Sequence, residues 1–359
     1  MEHRETGAGA AVTSAAPETL ASGGRLSWRE ARETPCLSCQ SSHCCTHLVV
    51  SQFEIGSLLD VDYALYLLNF DGILIGLSSE MQATVYLHQS CGYLDQESRL
   101  CTVHATPVQP AVCKSYSGYN CVYRTRMNEG IHEEPVLDRA RMQWLAGQLG
   151  FDELRRLVAV PEWSGVVDHF KTMPFEHVTA PVPAPDPMLT EWRQVVLGRA
   201  PQPEPSPHLY SEAIVSEPCR GCGAWCCQML VFQRPVPADA STLEYLRYAL
   251  GFPSVEIGIS DDAWAILVRT TCRHLDDGRC SVFGQDERPL RCGYYDEFSC
   301  KYRLHFGTPF PESIVRVSRD AFGTIEQAMA YDEMGRIAAM PPVDEMRQLV
   351  AQSERDRAR

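Results

Sequence analysis

Cysteines are the residues in this 359-residue sequence with the clearest chemical potential, and there are sixteen of them. They fall into two sets of eight, which open with CLSCQSSHCC at Cys36 and CRGCGAWCC at Cys219. A thiolate is a soft anionic ligand that suits zinc and iron–sulfur clusters, and both are normally held by four ligands. Eight thiols per set therefore fit two four-ligand sites. We expect these metal ligands: Cys36, Cys39, Cys44, Cys45, Cys91, Cys101, Cys113, Cys121, Cys219, Cys222, Cys226, Cys227, Cys272, Cys280, Cys292 and Cys300.

Each opening stretch ends in two adjacent cysteines, Cys44 with Cys45 and Cys226 with Cys227. In an extended chain, neighbouring side chains point to opposite sides. Two alternatives follow from that geometry. Either the members of each pair serve different sites, or one member of each pair is not a ligand.

The two sets belong to an internal repeat of the chain. Matching cysteines lie 179 to 183 positions apart, and the last three of each set share the spacing C-x11-C-x7-C. The segment IGLS at residues 75–78 matches IGIS at residues 257–260. A histidine near one set is never matched by a histidine in the other, so we expect ligation by cysteine alone. The histidines concerned are His43, His47, His104 and His274.

Two further pairs of residues are shared by the copies. Asp95 matches Asp276, and we expect these side chains to form a turn or cap, with a supporting role behind the metal ligands as the alternative. Arg124 and Arg303 each follow closely after the last cysteine of a set. Their charge would either offset a negatively charged thiolate site or form a plain surface salt bridge.

The elements around the cysteines predict an α+β fold made of two tandem copies of a small cysteine-rich metal-binding domain. In each copy we expect a strand, a helix, a hairpin that turns at residues 79–80 or 261–262, a loop-rich cysteine segment, and a closing helix or helix pair. The predicted organisation is a disordered tail at 1–33, a first domain at 34–162, a Pro-rich linker with a short helix at 163–216, a second domain at 217–342 and a charged helical tail at 343–359.

Composition excludes several classes of partner. The formal net charge of -14 and the pI of about 5.3 argue against nucleic-acid binding, which needs clustered Lys and Arg. The most apolar window, YALYLLNFDGILIGL, is shorter than the roughly 20 residues that span a bilayer. The N-terminus lacks the pattern of a secretory signal, so we expect a soluble, cytoplasmic protein. In a reducing cytosol such cysteines bind metal more often than they form disulfides, although an unseen export route would favour disulfides.

The segments CRGCGAWCC, CRHLDDGRCSVF and RPLRC of the second copy resemble the YkgJ-like cysteine-cluster family, whose members are described as zinc- or iron-chelating domains. The first copy departs from the pattern by one extra residue in CLSCQSSHCC and by Gln109 in place of the arginine that is Arg288 in the second copy. The resemblance implies metal chelation in both copies. A flagellin lysine methylase carries a similar cluster, but this chain shows no additional catalytic domain.

The sequence therefore predicts a metal-binding protein that coordinates zinc or iron through two eight-cysteine sets. Each set has a single C-x2-C segment, which fits an irregular zinc site and iron–sulfur ligation equally well. The alternatives are an iron–sulfur protein in electron transfer or in a redox or protein-modification enzyme system, and a metal-handling or redox-sensing protein. No catalytic signature stands out, so enzymatic activity stays open. The expected partners are metal ions and a protein, with neither nucleic acid nor membrane.

Overall fold

The computed structural model describes residues 42–115, 135–175, 224–261, 263–293 and 314–358. Over these residues the chain is mixed α+β, with short helices and several small antiparallel sheets. The predicted α+β class is confirmed at this level.

The first half of the chain forms a four-stranded sheet in the order β1-β3-β2-β4. Its central strand β3 is a continuous apolar run that is buried over five successive residues, as expected for a strand covered on both faces. The aromatic ring of Tyr86 on β3 lies against Gly76 on the neighbouring strand β2. A Cβ at residue 76 would be 2.9 Å from that ring, so glycine leaves the space that the ring occupies. The strands are β1 (His47–Glu54), β2 (Ile73–Leu77), β3 (Gln82–His88) and β4 (Val136–Leu137).

Short helices and one further hairpin accompany this sheet. A short 3-10 helix precedes β1, and Asp138 begins the third α-helix by accepting a hydrogen bond from the Arg141 N–H at 2.9 Å. The elements are η1 (His43–Cys45), α1 (Leu58–Leu67), α2 (Ala111–Ser115), α3 (Arg139–Ala146), β5 (Gly150–Phe151), β6 (Leu157–Ala159) and α4 (Trp163–Thr172).

The second half forms a four-stranded sheet with the equivalent order, β7-β9-β8-β12. Both sheets are antiparallel throughout. In the first sheet β2 pairs with the short strand β4, in the second β8 pairs with the short strand β12, and each short strand precedes a helix. The sheet and hairpin strands are β7 (Met229–Arg234), β8 (Val255–Ile259), β9 (Trp264–Arg269), β10 (Leu275–Asp276), β11 (Arg279–Cys280), β12 (Val315–Val317), β13 (Ala330–Tyr331) and β14 (Ile337–Ala339). The helices are η2 (Trp225–Cys227), α5 (Ala240–Ala249), α6 (Leu290–Gly293), α7 (Arg319–Gln327) and α8 (Val343–Arg357).

The strand, helix and hairpin predicted after each adjacent cysteine pair are confirmed, and of the predicted closing helix or helix pair a single helix, α3 or α7, is found. The segments predicted as second helices form the hairpins β5–β6 and β13–β14. The reason is local turn chemistry. The Asp152 carboxylate accepts the backbone N–H groups of Leu154 and Arg156, both at 2.9 Å, and Asp332 does the same with Met334 and Arg336.

Both halves contribute to one apolar core. Leu48 and Leu65 of the first half and Phe252 and Trp264 of the second belong to the same cluster of buried residues. Helix α4, which begins just past the predicted boundary at residue 162, and helix α8 both pack against this core. The shared core brings the two cysteine regions into contact with elements of the opposite half.

Among the described helices, none combines the length and the apolar composition needed to cross a membrane.

Candidate metal centre

Ten of the sixteen predicted ligands lie in the described segments, five from each set, and they occupy equivalent positions in the two halves. In each half the two adjacent cysteines lie in η1 or η2, and the third cysteine follows the hairpin β2–β3 or β8–β9. The fourth cysteine forms a backbone β-bridge with a leucine, and the fifth lies in α2 or α6. Six predicted ligands fall outside the described ranges: Cys36, Cys39, Cys121, Cys219, Cys222 and Cys300. The described ten are Cys44, Cys45, Cys91, Cys101, Cys113, Cys226, Cys227, Cys272, Cys280 and Cys292.

The adjacent cysteines do not lie in extended chain, so the geometric premise behind the two alternatives for them is wrong. Both pairs lie in 3-10 helices that begin after a left-handed residue, Ser42 with φ 48° and Ala224 with φ 52°. Successive side chains in a 3-10 helix are about 120° apart rather than opposed. The Cys227 thiol accordingly lies against the Cys226 thiol, and the two share a hydrogen bond.

A main-chain hydrogen bond ties the adjacent pair to the next cysteine in each set. The Cys91 N–H donates to the Cys45 carbonyl oxygen at 2.7 Å, and the Cys272 N–H donates to the Cys227 carbonyl oxygen at 2.7 Å. In the second half the Cys272 thiol also contacts the Cys227 thiol. Residues that are 45 or 46 positions apart in sequence are thereby brought to one place.

The remaining thiols of each half lie close enough to influence one another electrostatically. Burial raises the pKa of Cys292, and the thiols of Cys226, Cys272 and Cys280 raise it further. In the first half, burial raises the pKa of Cys91 to about 11, with a smaller contribution from the thiol of Cys45. Such thiols form thiolates readily only when a cation or a set of donors stabilises the negative charge.

Backbone N–H groups near four of these thiols lower the thiol pKa. Burial raises the pKa of Cys91 and Cys101, and the N–H groups of Tyr93 and Val103 act in the opposite direction. Burial also raises the pKa of Cys280 against the N–H of Val282, whereas the Cys227 thiol, and less strongly the N–H of His274, lower the pKa of Cys272. Hydrogen bonds from N–H groups stabilise thiolates and tune thiolate-bound metals.

The described side chains do not by themselves close a metal site. Within the described ranges, no three His, Cys, Asp or Glu side chains converge in an arrangement that could hold a metal ion. None of the ten cysteines in those ranges forms a disulfide. The donor set is thus chemically suited to a soft metal, but three predicted ligands of each set are outside the residues whose positions are described.

The two halves differ in the cation next to the thiols. Arg288 donates a hydrogen bond to the Cys292 carbonyl oxygen at 2.6 Å, and its charge lowers the pKa of Cys226. At the matching position of the first half, the buried Gln109 accepts the Ala105 N–H at 2.7 Å instead. The predicted cations Arg124 and Arg303 fall in parts of the sequence that are not described.

Asp95 has the turn role that the sequence predicts. Its carboxylate accepts both the N–H and the hydroxyl of Ser98, at 2.7 and 2.6 Å. The matched Asp276 lies in the β10–β11 hairpin. The Ser98 contacts place Asp95 in a turn, whereas Asp276 is a strand residue that pairs with Arg279.

A group of histidines beside the first set was missed because one of its members, His88, comes from a distant strand. The rings of His47 and His88 stack with centroids 4.5 Å apart, and His43 meets His47 edge-on at 5.3 Å. Burial and, to a smaller extent, the neighbouring His88 lower the pKa of His47 to about 3. The pairing of β1 with β3 puts His47 opposite His88, and this register is the signal that could have revealed the group.

The fold and the site together define an α+β protein with two equivalent groups of partly buried cysteines. Comparison of the chain with protein-family models, with curated proteins and with solved structures found no match. The cysteine geometry and its surroundings are therefore the basis for any statement about function.

Proposed function

We propose that this chain is a metal-binding protein that coordinates zinc or iron through its two eight-cysteine sets, each in one of two tandem cysteine-rich domains. The observation that carries the proposal is a main-chain hydrogen bond that recurs in both halves and ties the adjacent cysteine pair to the next cysteine of the set. The Cys91 N–H donates to the Cys45 carbonyl oxygen, and the Cys272 N–H donates to the Cys227 carbonyl oxygen, both at 2.7 Å. This bond brings together cysteines that are 45 or 46 positions apart in sequence, as a shared ligand site requires.

Burial of the thiols supports the same proposal. The Cys292 side chain is largely enclosed, and burial raises its thiol pKa well above the ordinary value. A bound metal cation displaces the proton and compensates the thiolate charge in such surroundings. When bound, zinc would fix the loops that carry the cysteines, and an iron–sulfur cluster would in addition accept and release single electrons.

The iron–sulfur alternative is favoured by one specific feature of the second half. Arg288 places a positive charge beside Cys226, Cys280 and Cys292. A cation beside a thiolate-bound cluster stabilises its reduced, more negative state, as hydrogen bonds and net charge set cluster potentials. The first half has Gln109 at that place, so two clusters with different potentials are the form that an electron-transfer function would take.

The test is purification of the full chain without oxygen, followed by measurement of zinc, iron and acid-labile sulfide per chain and of the visible spectrum. Stoichiometric zinc in a colourless protein supports the zinc form, and iron with sulfide in a brown protein supports the iron–sulfur form. Cys272→Ser is expected to lower the bound metal, whereas the control Ser281→Ala, at an exposed residue next to Cys280, is not. A parent protein that retains neither metal overturns the proposal.

A further inference from the structure

The two halves contact each other directly at their cysteine loops, and the contacts are reciprocal. The N–H of Gly92, the residue after Cys91, donates to the Gly251 carbonyl oxygen of the second half at 2.8 Å. The N–H of Arg273, the residue after Cys272, donates to the Asn69 carbonyl oxygen of the first half, also at 2.8 Å. Each acceptor lies two residues after the end of α1 or α5.

The short helices that carry the fifth described cysteines are held in the same crossed manner. Glu244 of α5 accepts the Ala111 N–H at the start of α2, at 2.7 Å. Asp62 of α1 accepts the Leu290 N–H at the start of α6, at 3.0 Å. Both donors follow a proline, which has no N–H, so each is the first backbone donor of its helix. The carboxylate of one half therefore fixes the cysteine helix of the other.

Further contacts reach the first set from the second half. The Tyr248 hydroxyl donates to the Cys44 carbonyl oxygen. A Cβ at Gly251 would lie 3.1 Å from the Cys91 sulfur. The Arg319 guanidinium stacks over the Tyr93 ring with its carbon 5.0 Å from the ring centroid. Residues of α5 and α7 and of the loop after α5 thus form part of the wall around the first set.

We propose that each cysteine set is held in its binding geometry by the opposite half of the chain, with Glu244 and Asp62 as positioning residues acting across the interface. This inference rests on the proposed metal-binding function. Loading one set orders its loops, because metal binding is coupled to folding. Those loops donate to the end of a helix in the opposite half, α5 or α1, so ordering one set also stabilises the half that carries the other set. The two sets therefore fill cooperatively, and the coupling is reciprocal.

The first test maps cysteine accessibility by alkylation and mass spectrometry in the metal-loaded full chain. In Glu244→Ala, alkylation at Cys113 is expected to rise about tenfold or more, since a charge-assisted hydrogen bond is lost. Cys292, which lies in the same half as Glu244, is expected to change much less, because only the coupling between the sets reaches it. Glu244→Gln retains an acceptor oxygen and should restore protection, and Glu345→Ala on the exposed face of α8 is the matched control.

The mirror-image variant tests the second set. Asp62 is 1% exposed, so Asp62→Leu, which is similar in shape but has no acceptor oxygen, is used beside Asp62→Ala in case the latter fails to fold. A larger rise in alkylation at Cys292 than at Cys113 supports the inference. Faster alkylation confined to the variant's own half, or unchanged alkylation in both halves for folded variants of both residues, overturns it.

The second test is native mass spectrometry during titration of the metal-free full chain with zinc. Empty and fully loaded chains are expected to dominate, with chains loaded in only one half well below the statistical population. A statistical distribution of half-loaded chains overturns cooperativity while leaving the proposed function intact. A parent chain that binds neither zinc nor iron instead overturns the proposed function, and the two failures are thereby distinguished.

Discussion

Arg288 donates a hydrogen bond to the Cys292 carbonyl oxygen at 2.6 Å, and its side chain carries a positive charge into the second group of thiols. The same guanidinium stacks on Phe283, with its carbon 4.4 Å from the ring centroid. The first half has Gln109 in this place. The two sets are therefore equivalent in backbone path but unequal in charge.

The first prediction follows from that inequality. Arg288→Gln removes a charge-assisted hydrogen bond of about 1.5–3 kcal/mol, and we expect chelator to remove metal about 10- to 100-fold faster. The measurement is the rate of metal release to a coloured chelator. Arg288→Lys should lie between the parent and the glutamine variant, because it keeps the charge but loses the planar fork.

Arg279→Gln is the matched control for that experiment. Arg279 lies beside Cys280 but is exposed, so solvent screens its charge and its removal should leave the release rate near that of the parent. A parental release rate in Arg288→Gln would contradict the argument that this cation stabilises the second set.

The second prediction concerns how the metal supports the whole fold. Because both halves share one apolar core, Cys292→Ser and its equivalent Cys113→Ser should each lower the stability of the entire chain by about 4 kcal/mol or more, the scale of losing a metal site. Thermal unfolding of each variant should show a single transition at lower temperature. Two separate transitions, with one at the parental temperature, would mean that the halves unfold independently.

The third prediction tests a hydrogen bond between the halves. Tyr248→Phe leaves the Cys44 carbonyl oxygen without this donor, and we expect a loss of about 1 kcal/mol in the free energy of unfolding. Denaturant titration measures the change. The control is Tyr331→Phe, because that tyrosine is 41% exposed and donates to the weakly accepting Met329 sulfur. Equal losses of unfolding free energy in both variants would contradict a stabilising role for the hydrogen bond from Tyr248 to Cys44.

The fourth prediction is a pH dependence that arises in the β13–β14 hairpin. Backbone hydrogen bonds from Arg336 and the Arg336 side chain hold the pKa of Asp332 below its ordinary value. A depressed carboxyl pKa stabilises the fold above the unfolded-state pKa of about 4, and this contribution is lost as the pH falls through the folded-state value.

Urea unfolding between pH 3 and 6 measures this effect, with the pH window set by ordinary carboxyl values of about 4. The profile of Asp332→Asn should be flatter than that of the parent over the acid range, since the amide accepts hydrogen bonds without titrating. Parallel profiles for parent and variant would show that Asp332 adds nothing to the acid sensitivity of the chain.

Local patterns in the sequence predicted much of the fold. The apolar run of β1, the helical spacing of α1 and α5 and the repeat of the cysteines all lie within short stretches, where side-chain periodicity decides the structure. A single closing helix forms in each half instead of a pair because Asp152 and Asp332 satisfy backbone donors in a turn, and this competes with helix formation.

The sequence by itself determined which residues this protein can use: two equivalent sets of eight thiols, one with Arg288 and the other with Gln109 at the matching position. Only the tertiary structure decided how the sets relate to each other. Spacing within a set says nothing about which carboxylate reaches Ala111 or Leu290, because those partners are 133 and 228 positions away and meet only when both halves bury one core. Likewise, a 3-10 turn rather than extended chain brings the Cys226 and Cys227 thiols together, and the left-handed backbone of Ala224 that precedes it was not visible in the residue types.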